Sequence, residues 1–174
     1  MRKILLAAVI ALTVTGCKNA DKTTPETPSK NDDVKAAYEK NLATVKAFVA
    51  AFEKEDSNAM AALIADTAVW NSPAYGDTVH TKKHWVESLR YYMNNWDKLH
   101  LTNGQFLPGV DQVTNEFDGS VRYYGQWDGV HTTGVATRVS FYGTYDFNKD
   151  NKIINGSDFF DLGGLMNAIK PKGK

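Results

Sequence analysis

Along this chain the period at which apolar residues recur changes once, near His100. Before that point Val34, Tyr38, Leu42, Val45, Val49 and Phe52 fall three or four residues apart, the spacing of one helix face. The spacing predicts an amphipathic helix of about five turns, with Asn31, Asp32 and Asp33 as N-cap candidates. A second, short helix is expected from Asp56 or Ser57, burying Met60, Leu63 and Ile64, and TAVWNSPAYGD then reads as a strand fragment followed by a loop. A third helix, with Thr81 as its cap, sets Trp85, Leu89, Tyr92, Met93 and Trp96 on one side. Beyond His100 the period falls to 2, and the residues turn β-branched and aromatic in SVRYYGQWDG, GVATRVSFYGTYDF and KIINGSDFF. Helices first and antiparallel strands afterwards, without alternating βαβ units, predict an α+β domain with helices packed on one face of a curved sheet.

The N-terminus obeys other rules. MRKILLAAVIALTVTGC begins basic and runs through an apolar stretch, Ile4 to Val14, too short to span a bilayer core that needs roughly 20 apolar residues. Residues 1–16 are therefore expected to be an export signal. Val14-Thr15-Gly16-Cys17 resembles the lipobox of bacterial lipoproteins, which implies a lipidated Cys17 as the first mature residue. Cys17 is the only cysteine, so an intramolecular disulfide and a cysteine metal site are excluded. From Cys17 to Asp33 the chain mixes Pro, Thr, Asn and charges with almost no apolar residues, the composition of a flexible tether. Residues 34–174 are long enough for one domain with a sizeable core. With 20 basic and 20 acidic residues and no basic stripe, nucleic-acid binding lacks electrostatic support. The expected location is the bacterial cell envelope, membrane-anchored through Cys17 and facing the periplasm or the surface.

The helices containing AFEKEDSNAMAALIADTAVW and the sheet ending in NKIINGSDFFDLGGLMNAI resemble the nuclear transport factor 2-like superfamily, in particular its SnoaL-like, polyketide-cyclase-like branch. The resemblance implies a cone of three N-terminal helices on a curved, mostly antiparallel sheet with a short C-terminal helix. It also implies a pocket at the wide end and, in many relatives, a homodimer through the outer sheet face. Activities in that superfamily run from isomerases, cyclases and dehydratases to non-catalytic binding, so fold does not decide function.

Several motifs invite chemical readings. His80 and His84 stand four apart, a spacing for a shared metal, but no third ligand is near in sequence and a solvated helix start explains them. DFNKDNKIINGSD carries Asp146, Asn148 and Asp150 at calcium-loop positions, yet Asn151 replaces the required glycine and Ser157 the bidentate glutamate, so a hairpin turn accounts for it. No metal site and no organic cofactor is expected. Trp70, Tyr75, Tyr92, Trp96, Tyr123, Trp127, Phe141 and Phe160 come from elements that would surround one cavity. Tryptophan and tyrosine carry polar tips, so such a set suits an amphipathic pocket for a small apolar or aromatic ligand better than a dry core.

For acid–base chemistry the candidates are His131, Asp128 beside it, and Asp158. Strand alternation puts Ile154, Gly156, Asp158 and Phe160 on one face and Ile153, Asn155, Ser157, Phe159 and Asp161 on the other. Asp161, just before LGGLMNAI, is expected to cap a final helix. By the resemblance, Asp158 falls near pocket-facing positions, and burial there would raise its pKa as proton transfer requires. Three functions follow: a lipid-anchored domain binding a small apolar molecule, a cofactor-independent cyclase, isomerase or dehydratase using Asp158 or His131, or a dimeric interaction module using outward aromatics such as Tyr124 and Tyr142.

Overall fold

A computed structural model describes residues 30–76 and 78–171. The signal peptide, Cys17 and most of the tether lie outside the described residues. Helix α1 spans Lys30–Glu53, so Asn31, Asp32 and Asp33 stand in its first turn instead of capping it. Its three- and four-residue spacing buries Val45, Phe48 and Val49. Helix α2, Ser57–Leu63, is capped by Asp56, whose carboxylate accepts the Ala59 amide at 2.9 Å. Ile64, expected on that helix, opens strand β1, Ile64–Asn71, and is fully buried there. A three-residue strand β2, Val79–Thr81, leads into helix α3, Lys82–Asn95. Thr81 occupies the N-cap position but makes no side-chain capping bond.

Four further strands follow: β3 (Trp96–Val110), β4 (Phe117–His131), β5 (Ala136–Phe147) and β6 (Ile153–Phe159). Helix α4, Leu162–Ala168, ends the fold, and the Asp161 carboxylate accepts the Gly164 amide at 2.7 Å as its cap. The six strands form one sheet in the order β2-β1-β6-β5-β4-β3, antiparallel throughout except where β1 runs parallel to β6. The result is the expected α+β architecture, with β1 and β2 placed between the second and third helices.

Strand β3 is the element that alternation did not mark. Its pairing with β4 shifts register three times, and Lys98 and Asn103 adopt positive φ of 59° and 53°. Each irregularity resets which side chain faces inward, so a period of 2 never accumulates. Trp96, expected on the helix, is the first residue of this strand and is nearly fully buried.

The helices cover the inner face of the sheet, and α1 runs along it in a fixed direction. At its middle, Asn41 is buried and bridges two hairpins, donating to the Gly119 carbonyl at 2.9 Å and accepting from Asn151 Nδ2 at 2.9 Å. Gly119, at φ 81°, lets the helix approach: a Cβ there would stand 3.3 Å from that of Ala37. At the C-terminal end of α1, Glu53 accepts the Leu101 amide at 2.9 Å, and Phe52 meets Trp127 edge-on at 5.0 Å.

Strand β6 departs from simple alternation at one place. Asp146 pairs with Asn155 but Phe147 pairs with Ile153, so Ile154 is an extra residue. This bulge turns Ile153 into the core, fully buried, against the alternation that placed it on the opposite face from Gly156 and Asp158.

Candidate active site

The inner face of the sheet is organised in rows across strands. In one row Trp70 of β1, Gly156 of β6 and Tyr145 of β5 are register partners. Gly156 has no side chain, and the Trp85 indole from α3 fills the space: an added Cβ would come within 2.3 Å of its ring. Trp85 is therefore sandwiched, its ring 6.1 Å from Trp70 at 2° and 6.1 Å from Tyr145 at 3°. In the next row Tyr123, Gly143 and Asp158 are partners. Gly143 leaves room for the rings of Tyr123 and Phe141 and for the Tyr145 hydroxyl, which lie 2.8–3.0 Å from where its Cβ would be.

Those two rows fix Asp158. Trp70 Nε1 donates to Oδ2 at 2.8 Å and Tyr145 Oη donates to Oδ1 at 3.0 Å, both from buried side chains. Among the described residues Asp158 is the one buried carboxylate, 7% exposed. Burial raises its pKa from the ordinary 3.8 to about 6, and the bonds from Trp70 and Tyr145 act in the opposite direction. Desolvation of the charged form thus outweighs two donors. Tyr145 and Tyr123 are held well above the normal tyrosine range, first by burial and then by the Asp158 charge, so both remain protonated donors.

Asp158 borders a cavity of about 80 Å³ whose walls are otherwise nearly all apolar. Tyr92, Trp96, Tyr123, Trp127, Phe141 and Phe160 from the sequence set line it, joined by Phe48 and Phe52 of α1 and Leu165 of α4. Trp70 instead stands behind the carboxylate as its donor. Tyr75 lies in the loop after β1, fully exposed, and is not among the lining residues. Tyr92 keeps its proton as well, because burial and the Asp158 charge both raise its pKa.

Of the other acid–base candidates, Asp128 lines the same cavity as Asp158, whereas His131 does not. His131 ends β4, with its ring edge-on to Trp96 at 4.5 Å and Nδ1 accepting the Thr133 amide at 3.2 Å. Asp128 is tied to Arg138 at 2.6 and 3.1 Å and to Thr102 at 3.0 Å, and the Arg138 hydrogen bond holds its carboxyl below the usual range. The His80 and His84 rings approach to 4.9 Å, but among the described residues no three His, Cys, Asp or Glu are grouped as metal ligands would be. In the turn after β5, Asn148 Oδ1 accepts the Asp150 and Lys152 amides, both at 3.0 Å, which builds the turn from protein groups. Tyr124 and Tyr142 stack at 4.7 Å on the outer face, and Tyr142 stacks on Phe159 at 5.5 Å.

Besides Phe48, Phe52 and Leu165, sequence reasoning passed over Tyr145 and Trp85 as site residues. Tyr145 shares the inward face with Phe141, and Gly143 between them was the available sign of a crowded position. Trp85 lay on the expected inner face of α3, but its partner Gly156 becomes visible only once β6 is placed beside β1.

Comparison with known proteins agrees with this fold. No curated protein matches the chain. Among solved structures, a candidate isomerase from Bacillus subtilis is 21% identical with TM-score 0.58, covering 76% of this chain and 94% of that one. A candidate polyketide cyclase from Xanthomonas campestris is 14% identical with TM-score 0.62, over 77% and 99% of the two chains. A hypothetical protein with a ketosteroid isomerase-like fold from Catenulispora acidiphila, solved with trimethylamine, is 16% identical with TM-score 0.57, over 72% and 90%. At these identities the likeness is one of fold. Residues 1–17 match the prokaryotic membrane lipoprotein lipid attachment site, so the protein is a membrane-anchored envelope lipoprotein. No helix among the described residues is long and apolar enough to cross a membrane. The sequence profile of the SnoaL-like domain matches residues 45–155, most of the folded part, and the chain belongs to the SnoaL-like domain family.

Proposed function

We propose that this domain is a cofactor-independent proton-transfer enzyme of the isomerase or cyclase type, acting on a small, largely apolar carbonyl compound. The observation that carries the reading is Asp158: a buried carboxylate on an apolar cavity, oriented by Trp70 and Tyr145, with a pKa raised to about 6. Near neutral pH such a group is ionised yet more basic than a solvated carboxylate, the compromise a general base needs. Asp158 takes a proton from the carbon beside the carbonyl and returns it elsewhere on the same molecule. That sequence completes an isomerisation or an internal ring closure with no external reagent. Tyr92 lines the same cavity as a protonated hydroxyl and supplies a donor for charge developing on the carbonyl oxygen. An engineered cavity of about 150 Å³ takes up benzene. The space here, about 80 Å³, suits a short or branched apolar fragment, with larger groups left at the mouth.

The test is deuterium exchange. The purified protein is incubated in D2O with small cyclic ketones and enones, and α-proton loss is followed by NMR. The wild type accelerates exchange, Asp158→Asn abolishes the acceleration, and His131→Ala retains it. Compounds that bind without exchanging in the wild type would replace this reading with a binding function. The stacked Tyr124, Tyr142 and Phe159, with Tyr124 42% and Phe159 53% exposed, favour a homodimer through the outer face as a second feature. Sedimentation of the wild type and Phe159→Asp tests it, and a monomeric wild type removes it.

A further inference from the structure

We infer that the hairpin tip between β3 and β4 inserts into the lipid surface that holds Cys17, leaving the cavity at the far end of the domain. Two observations meet at one end of the fold. The first is apolar exposure: Val113 is 88% and Phe117 64% exposed, at and beside the tip. The turn presenting them is built by its own bonds, with Asp111 Oδ1 accepting the Val113 and Thr114 amides at 2.9 and 2.8 Å. Val113 is therefore held outward in solution without a partner on the protein.

The second observation is where the anchored chain enters. Asn41 and Ala37 of α1 already lie level with Gly119, just below the tip of this hairpin. The helix begins at Lys30, seven residues before Ala37 and eleven before Asn41, so its first turns extend about 10–16 Å past that level. Hairpin tip and helix start thus project beyond the same end of the sheet. Twelve residues lie between lipidated Cys17 and Lys30, a reach of at most about 45 Å over thirteen chain steps. Confinement within that distance makes membrane contact an intramolecular event, so two apolar side chains suffice where they would not recruit a free protein. The tip carries Asp111, Glu116 and Asp118, so the contact is apolar insertion and not attraction to anionic headgroups. The cavity lies towards the opposite end, with Trp96, Gly129, Thr137 and Leu165 among its walls. Its ligand accordingly arrives from the aqueous side.

The experiment uses the full lipidated chain in phosphatidylcholine vesicles. Cys17 is blocked by lipid, so Val113→Cys supplies one thiol for an environment-sensitive dye, and Ala168→Cys on α4 supplies the matching site near the cavity. Nitroxide-bearing lipids are expected to quench the dye at 113 several-fold more than at 168. Adding Phe117→Asp to Val113→Cys is expected to remove most of that difference, with little response to salt. Equal quenching at the two sites, or no effect of Phe117→Asp, overturns the inference. A blue shift at 113 without nitroxide quenching means contact with a second copy of the chain and also overturns it.

Discussion

Replacing Asp158 by asparagine tests the central feature of the site without knowledge of a substrate. The native carboxyl titrates near 6 and an unfolded one near 3.8. Because the folded-state pKa is the higher one, the folded protein holds this proton more tightly. Its stabilising contribution is complete below about pH 3.8 and is lost as pH rises through 6. The displacement of about two pKa units corresponds to roughly 3 kcal/mol at 1.36 kcal/mol per unit. The free-energy difference between Asp158→Asn and wild type, in favour of the variant, should therefore grow by about 2.5 kcal/mol between pH 4 and pH 7.5, since part of the full effect is already lost at pH 4. The absolute level depends on how asparagine meets two donors, Trp70 and Tyr145, but that offset does not vary with pH. Urea unfolding followed by tryptophan fluorescence at several pH values measures the difference directly, and all other titrations cancel in it. A flat difference, or one that moves the other way, would refute the claim that desolvation dominates at Asp158.

Further perturbations separate the parts of the site. Tyr145→Phe removes a donor at 3.0 Å from Asp158. A bond to a charged group is worth about 1.5–3 kcal/mol, so the lower limb of the pH–exchange profile should move up by about one to two pH units. Gly156→Ala drives a methyl group to within 2.3 Å of the Trp85 ring. Overpacking of this kind costs about 1–3 kcal/mol, to be read as a lowered thermal midpoint with altered near-UV dichroism. Cys17→Ser should move the protein from the membrane pellet to the soluble fraction on cell fractionation, and unchanged partitioning would remove lipidation at that residue.

Much of this architecture was legible because helix and strand periods are local properties. The spacing along α1 marked Val45 and Val49, alternation along β5 marked Phe141 and Tyr145, and Asp161 announced the cap of α4. What stayed hidden depends on distant partners. The shifts in β3 erased its period. The crowding at Gly156 requires β1, β5 and α3 to be in place before a glycine there has meaning. Asp158 could be assigned a face from β6 alone, but its donors Trp70 and Tyr145 lie 88 and 13 residues away. Tyr75 and His131 had suitable chemistry in sequence, and only the chain path takes the first into solvent and the second to the end of β4.

The bulge at Ile154 also has a bearing on how this domain tolerates insertions and deletions. Ile153 answers to Ile64 and Phe147, whereas Asn155 to Phe159 answer to the outer parts of β1 and β5. A residue gained or lost in the turn 148–152 can be taken up by forming or dissolving the extra position at 154. The strand beyond it keeps its facing. Without such a joint, a single-residue change in the turn would rotate Asp158 to the outer face and bring Ser157 inward. The joint insulates the carboxylate from length variation in the turn, so chains with a longer or shorter turn should retain the pH-dependent stability of Asp158.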